Sequence, residues 1–202
     1  MRLILASGSP YRKELLSRLG LPFETLVPHV DESAHPGEDF EHTARRLSIE
    51  KARVIAQQHP DAIVIGSDQV AHCEGRRLDK PGTAAAAIAQ LAWQRGKTSW
   101  FHTALTVASK GGSHIQTDVI TTEVRYHDDN VLTDAHIAAY VADENPVDCA
   151  GAAKSEGLGV ALMAAVRGDD PSALVGLPLI ALCTMLRNCG VEPLSSKRSS
   201  AT

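Results

Sequence analysis

The sequence lacks several features, and each absence excludes a class of protein. Its four cysteines are far apart and form no CxxC pair, so we expect reduced thiols rather than a disulfide framework. No apolar run is long enough to span a bilayer or to form a signal-peptide core, which predicts a cytoplasmic protein without membrane contact. The net charge of -4 excludes the basic surface of a general nucleic-acid binder.

Common catalytic signatures are also missing. The sequence contains neither a GxxxxGK[ST] loop nor a GxSxG elbow, which argues against P-loop and serine-hydrolase chemistry. Nine histidines occur without HExxH spacing, so a zinc site is not predicted. The stretch Gly157-Leu158-Gly159 is too short to indicate a dinucleotide site.

The order of apolar runs predicts a mixed α/β (α+β) fold with a twisted mixed sheet. Strands are predicted at 3–6, 62–65 and 159–166, a hairpin at 100–108 and 115–126, and helices at 40–58, 83–93, 133–142 and 171–187. With 202 residues, one domain over 1–194 is expected. The polar tail 195–202 is predicted to be disordered.

The first turn of the chain favours phosphate binding. Ser7 begins a break after the first apolar run, and Ser9 with Pro10 predicts a capped helix start. Arg12 and Lys13 follow in the first turn, where positive side chains are normally unfavourable. A bound anion would relieve that conflict, because backbone N–H groups at a helix start also attract anions. The simpler alternative is an ordinary strand and helix with solvated basic residues.

Further charged groups follow the same logic. They are Asp31-Glu32, Lys51, Gly66-Ser67-Asp68-Gln69 and Asp79-Lys80-Pro81. Oxygen ligands together with lysines and an arginine suit a Mg²⁺- or Mn²⁺-assisted attack on a polyphosphate. Most of these charged groups, taken individually, would also be explained by a solvated loop, a solvent-exposed helix face or a turn. Asp68 is harder to explain in that way, because acids that end an apolar strand often face the ligand crevice of an α/β sheet.

Six motifs occur together in order along the chain. They are SxSPxR at 7–12, DE at 31–32, EKA at 50–52, GSDQ at 66–69, KP at 80–81, and CAGAAKSEGLG at 149–159 followed by VGLPL. In these motifs the chain resembles the Maf family of nucleoside triphosphate pyrophosphatases, as far as about residue 194. The resemblance implies an elongated sheet similar to that of inosine triphosphate pyrophosphatases, with a cleft between two lobes. It also implies cleavage of a nucleoside triphosphate to monophosphate and pyrophosphate with a divalent metal (Mg²⁺, Mn²⁺ or Co²⁺), and a homodimer.

The family pattern also implies roles for individual residues. Asp68 would accept a proton from the attacking water. The triphosphate would be held by Ser7, Arg12, Lys13, Lys51 and Lys80. The metal would be held by Glu32 and Asp68, with Asp79 as a further candidate. Tyr11 departs from the arginine that many members have after the SxSP proline.

Three positions that separate the Maf subfamilies carry Tyr11, Gln69 and Glu156. This combination resembles the YceF-like branch, which acts on 7-methyl-GTP. A 7-methylated guanine is cationic and would stack on an aromatic ring, for about 0.5–2 kcal/mol. A carboxylate at 156 would accept hydrogen bonds from the guanine edge, which thymine cannot supply. A surface charge in a loop is the simpler interpretation of Glu156.

Two alternatives stay open at this point. The same reaction could act on dTTP, UTP or another modified nucleotide. The chain could instead be a nucleotide-binding regulator of cell division without turnover, since family members have been linked to septum formation. The complete set of carboxylates argues against a pure binder, which has little need of a general base.

Overall fold

A computed structural model describes residues 2–194, so the predicted disordered tail at 195–202 lies outside the described residues. Over this range the chain forms seven strands and five α-helices. The strands are β1 (Arg2–Ala6), β2 (Glu24–Leu26), β3 (Ala62–Cys73), β4 (Arg76–Leu78), β5 (Thr98–Ser109), β6 (His114–Tyr126) and β7 (Met163–Arg167). The helices are α1 (Pro10–Ser17), α2 (Phe40–Gln58), α3 (Ala84–Gln94), α4 (Asp134–Glu144) and α5 (Leu179–Asn188).

The described strands form one mixed sheet in the order β2-β1-β3-β5-β6-β7, with β4 paired to β3. β1 runs parallel to β2 and β3, and the other pairs are antiparallel. The predicted hairpin is β5–β6, joined by the short turn Lys110–Gly112. The mixed α/β class predicted from the sequence is therefore confirmed.

One side of β3 is only partly covered by neighbouring strands. β1 pairs with it as far as Gly66, and β4 pairs with it from Ala71 onward. Residues 67–70 lie between these two pairings, although β5 pairs with them on the other side. The sheet thus has a gap at the carboxyl end of β1, which is where ligands bind in many α/β proteins.

Helix α2 packs closely on one face of the sheet. Its apolar stripe, including Ala52 and Ala56, covers Val64 and Ala108. The approach is closest at Gly66, where an added Cβ would overlap the Ser48 carbonyl oxygen and lie 2.7 Å from the Ala52 nitrogen. Only glycine leaves room for this contact, and the contact sets the position of α2 beside β3.

The opposite face of the sheet carries two apolar clusters. One includes Leu105 and Leu182, beneath α1 and α5. The other includes Phe101 and Ile137, against α3 and α4. Between them the inward residues of β3 and β5 are polar, including Gln69 and Thr103. This polar seam separates the two lobes, as the family resemblance implied.

Local signals place most helix starts correctly. Ser9, Thr83 and Thr133 accept backbone N–H groups at the starts of α1, α3 and α4, and Pro10 is the first residue of α1. None of the helices in the described part of the chain has the length and apolar character needed to cross a bilayer.

Two elements near the end of the chain begin later than predicted. The strand predicted at 159–166 begins only at Met163, because residues Leu158–Leu162 form a 3₁₀ turn. The helix predicted from 171 begins at Leu179, after Pro178. The Asp170 carboxylate, which directly precedes the predicted start, instead accepts the Ile180 N–H at 2.7 Å from across the intervening loop.

Candidate active site

A cleft of about 580 Å³ opens at the gap beside β3. The predicted site residues that line it are Ser7, Tyr11, Arg12, Glu32, Lys51, Asp68, Gln69, Asp79, Lys80 and Glu156. Lys13 is the exception. It is exposed and lies in a shallow groove with Glu14 and Ser17, on another side of α1. The structure therefore does not bring Lys13 to the cleft with the other predicted phosphate ligands.

The opening turn is held by its own serines. Ser7 is buried, and its hydroxyl oxygen accepts the Ser9 N–H at 3.1 Å. The Ser9 hydroxyl in turn accepts the Arg12 N–H at 3.4 Å and caps α1. These bonds fix the strand-to-helix turn at the floor of the cleft. The capped helix start predicted at Ser9 and Pro10 is therefore present, and phosphate binding there stays a prediction.

Arg12 is anchored by a segment that the sequence analysis assigned no role. Its Nε donates to the Gly176 carbonyl at 2.9 Å, and the buried Ser67 hydroxyl donates to the same oxygen at 2.9 Å. Gly176 has a φ of 118°, which a side chain would disfavour. Burial lowers the pKa of Arg12, and the nearby charges of Asp68 and Glu32 oppose that effect. The VGLPL motif therefore serves to orient Arg12.

A buried lysine joins two carboxylates at the centre of the cleft. Lys51 Nζ lies 2.7 Å from Asp68 Oδ1 and 2.6 Å from Glu32 Oε1. Lys51 and Asp68 are almost fully buried, whereas Glu32 is 61% exposed on its loop. Burial works against the ionised form of Glu32. The hydrogen bond from Lys51 and the charges of Lys80 and Arg12 outweigh it and lower the pKa of Glu32.

Asp79 and Lys80 form the rim of the cleft just after β4. Both are exposed, and Asp79 is paired with Arg77, whose Nε lies 2.8 Å from Asp79 Oδ1. Arg77 also lines the cleft. Sequence reasoning missed Arg77, which lies in β4 two residues before Asp79.

Gln69 is fixed by the polar seam. Its amide nitrogen donates to the Ala173 and Leu174 carbonyls at 3.1 and 3.0 Å, and to the Thr103 hydroxyl at 2.9 Å. Main-chain carbonyls only accept, so the NH₂ group must face them. The amide oxygen is then the polar atom that Gln69 offers to a ligand.

Tyr11 bridges the mouth of the cleft. Its hydroxyl donates to Asp148, with distances of 3.2 and 3.3 Å to the two oxygens. The Cys149 thiol donates to the Tyr11 oxygen at 3.6 Å. Burial raises the pKa of Tyr11, and burial also raises the pKa of Cys149, to about 11. Sequence reasoning missed Asp148 and the contact of Cys149 with Tyr11, because no local pattern links them to a residue 137 and 138 positions earlier.

Glu156 reaches the same mouth from a braced loop. The Glu144 carboxylate at the end of α4 accepts the Leu158 N–H at 2.7 Å. A Cβ at Gly157 would lie 3.1 Å from that carboxylate's carbon. The Tyr140 hydroxyl accepts the Lys154 N–H at 2.9 Å. These contacts hold the loop against α4 and leave the Glu156 side chain exposed at the cleft.

The described residues contain no cluster of three or more His, Cys, Asp or Glu side chains arranged to hold a metal by themselves. Glu32 Oε1 and Asp68 Oδ1 nevertheless both contact the Lys51 ammonium. The distance between these two oxygens is therefore at most the sum of their distances to Lys51 Nζ. Mg²⁺ is commonly held by one or two carboxylates together with substrate phosphates and water. The pair fits that mode.

The chain is similar to known proteins over nearly its whole length. The family model described as "Maf-like protein" matches residues 2–189. A 7-methyl-GTP pyrophosphatase of Aromatoleum aromaticum is 52% identical over 190 residues, which cover 94% of this chain and 96% of that protein. One of Ralstonia nicotianae is 54% identical over 187 residues, covering 92% and 94%. The solved Ham1 protein of Staphylococcus aureus is similar with a TM-score of 0.47 and 15% identity, over 63% of this chain and 73% of that one.

Proposed function

The chain belongs to the Maf family, and on that premise we propose that it is a nucleoside triphosphate pyrophosphatase acting on 7-methyl-GTP. The products would be 7-methyl-GMP and pyrophosphate. Relatives about half identical over nearly the whole chain carry that name. The observation that carries the proposal is the Lys51 ammonium in contact with Asp68 and Glu32, in a cleft that also holds Arg12 and Lys80.

The charges in the cleft suit a polyphosphate. Arg12, Lys51 and Lys80 are contributed by α1, α2 and the segment after β4, so they approach one volume from different sides. Cations placed in advance around a phosphoryl group stabilise the charge that develops as its bond breaks. The Ser7 hydroxyl and the N-terminus of α1 add neutral donors at the floor of the cleft.

We assign proton transfer to Asp68. Lys51 contacts Oδ1, which leaves Oδ2 as the oxygen placed to accept a proton from water. The water oxygen then forms a bond to the α-phosphorus, and the bond from that phosphorus to the bridging oxygen breaks. Pyrophosphate leaves with the bonding electron pair. The buried ion pair holds the carboxylate in place, and Gly66 allows the close helix contact behind it.

A divalent cation (Mg²⁺, Mn²⁺ or Co²⁺) would be held by Glu32 and Asp68, with Asp79 at the rim, and would neutralise phosphate charge. To free Glu32 for this role, its contact with Lys51 would have to loosen. Glu32 is exposed on a loop, so it can move at little cost. Asp79 would likewise have to leave Arg77.

The other end of the cleft suits a cationic guanine. The Tyr11 ring would stack on the base, which is worth about 0.5–2 kcal/mol for a cation on an aromatic face. Glu156 would accept hydrogen bonds from the guanine edge, and the amide oxygen of Gln69 adds a further acceptor. Thymine and uracil lack the matching pair of donors, so they would leave the carboxylate desolvated and unpaired.

Replacing Asp68 by Asn tests the mechanism. The substitution keeps the shape and removes the proton acceptor, and it is expected to lower kcat by about 10²–10⁴-fold. The matched control is Asp61→Asn, which removes an exposed carboxylate immediately before the same strand. Pyrophosphate release with Mg²⁺, Mn²⁺ or Co²⁺ measures both variants. An Asp68→Asn protein with full activity would remove Asp68 from the mechanism.

The substrate is tested by resolving products from 7-methyl-GTP, GTP, dTTP and UTP. We expect the highest kcat/KM for 7-methyl-GTP. Faster cleavage of dTTP or UTP would keep the reaction and overturn the base assignment, whereas binding without release would indicate a regulator. A cytoplasmic location and a homodimer both stay predictions.

A further inference from the structure

Asp148 lies opposite Tyr11 at the mouth of the cleft. The phenol hydroxyl of Tyr11 is within 3.2 and 3.3 Å of the two carboxylate oxygens. Tyr11 belongs to α1 in one lobe, and Asp148 belongs to the loop that follows α4 in the other lobe. The contact therefore connects the two walls between which the base would lie.

The loop that carries Asp148 is firmly anchored. Gln94 is fully buried, donates to the Gly151 carbonyl at 2.8 Å and accepts from the Ser99 hydroxyl at 2.9 Å. Gly151 packs on the Phe101 ring, where an added Cβ would lie at 3.0 Å. A carboxylate on such a loop can hold the Tyr11 ring in one orientation instead of moving with it.

Asp148 also changes the charge at the mouth. It and Glu156 both line the cleft, and neither forms a salt bridge with any residue in the range 2–194. The cations Arg12, Lys51 and Lys80 are grouped instead around Asp68 and Glu32. A ligand with a negative tail and a positive ring would match this polarity at both ends, whereas a neutral ring would match only one.

From this geometry we infer that Asp148 is a positioning and specificity-determining residue. Its carboxylate orients the Tyr11 ring and, with Glu156, favours a cationic purine over a neutral one. The inference rests on the proposed function and deepens it. Asp148 touches neither the water nor the phosphorus in that mechanism, so its effect falls on substrate binding and not on the chemical step.

The test compares 7-methyl-GTP with GTP in Asp148→Asn. Asn keeps a hydrogen-bond acceptor and loses the charge. An exposed ion pair contributes about 0.2–1 kcal/mol, so the ratio of kcat/KM for 7-methyl-GTP to that for GTP should fall by roughly 1.4- to fivefold. The change should lie in KM. Asp148→Glu, which retains the charge, should restore most of the ratio.

Asp143→Asn is the control, because it removes an exposed carboxylate from α4 outside the cleft lining. It should leave the ratio unchanged. Calorimetric binding of 7-methyl-GMP and GMP supplies a readout that needs no turnover, and the same fall in preference is expected there. An Asp148→Asn protein with the wild-type preference in both assays would overturn the inference, as would an equal fall in Asp143→Asn.

Failure of the proposed function would look different. A wild-type chain that releases no pyrophosphate from any of the four nucleotides would contradict the reaction, while the binding arm would still decide the role of Asp148. A wild-type chain that cleaves both guanine nucleotides with equal kcat/KM would keep the reaction and overturn the role of Asp148 in selecting a cationic base.

Discussion

Gly66→Ala is the sharpest test of how the fold builds the site. Residue 66 lies in β3, where the backbone is extended and alanine is intrinsically better than glycine by about 0.5–1 kcal/mol. If intrinsic preference were decisive, the variant would be more stable. The packing around residue 66 predicts instead that the variant is less stable than the wild type.

The predicted loss follows from what the new methyl group would meet. It would overlap the Ser48 carbonyl oxygen and lie 2.7 Å from the Ala52 nitrogen and 2.9 Å from the Ala52 Cβ. These are backbone or Cβ atoms, so no side chain can rotate away and α2 itself must shift. Overpacking of this kind costs about 1–3 kcal/mol and occasionally more. After subtraction of the intrinsic gain of about 0.5–1 kcal/mol, we expect a net loss of up to about 2.5 kcal/mol.

The same shift of α2 would also displace groups of the proposed active site. Lys51 is next to Ala52 on α2, and its ammonium contacts Asp68, two residues beyond Gly66. A displacement of about 1 Å at a catalytic group can cost roughly 100-fold in rate. We therefore expect kcat to fall by more than tenfold even where the variant is fully folded.

Urea denaturation and pyrophosphate release measure the two effects. A lower midpoint with an unchanged m-value would show lost stability without a changed denatured state. Gly75→Ala is the control. Its Cβ would meet no atom within 4 Å, so the substitution costs only the backbone strain of a residue with a side chain at a φ of 75°. That variant should keep its activity. A Gly66→Ala protein as stable and as active as the wild type would refute the packing argument.

Two further predictions concern loops beside the cleft. The Arg46 hydrogen bonds lower the pKa of Glu38 from 4.5 to about 2. This pair therefore stabilises the fold above about pH 4.5 and loses its effect as the pH falls toward 2, so Glu38→Gln should flatten the acid side of a stability-against-pH curve between those values. Gln94→Leu would leave the Gly151 carbonyl and the Ser99 hydroxyl unpaired. It should cost about 2–5 kcal/mol in urea denaturation and weaken binding of 7-methyl-GMP.

Much of the fold could be predicted because its signals are local. A serine before a proline, or a threonine before an alanine-rich run, satisfies the backbone of the following turn whatever the rest of the chain does. The failure near the C-terminus has an equally physical cause. Asp170 looks like the cap of the helix at 171, yet its carboxylate reaches the N–H of Ile180, and Pro178 delays the helix start. No pattern within a few residues carries that information.

Lys13 shows the corresponding limit at the site. Arg12 and Lys13 are adjacent, and their charges at the start of a helix predicted phosphate binding equally well for both. Successive residues in an α-helix point about 100° apart. Arg12 therefore turns into the cleft toward Gly176, while Lys13 turns out to solvent. Which of the two side chains faces the cleft depends on how α1 packs against the rest of the protein, and the local sequence does not determine that packing.

The gap beside β3 explains why one cleft can gather residues from both faces of the sheet. Asp68 and Gln69 are successive strand residues, so their side chains must point to opposite faces: Asp68 meets Lys51 of α2, and Gln69 meets the seam at Ala173. In a continuous sheet a neighbouring strand would separate them. Here β1 has ended and β4 has not begun, so a ligand entering at the edge would reach both side chains at once. One dipeptide thereby brings the proposed proton acceptor, Asp68, and a proposed base contact, Gln69, into the same cleft.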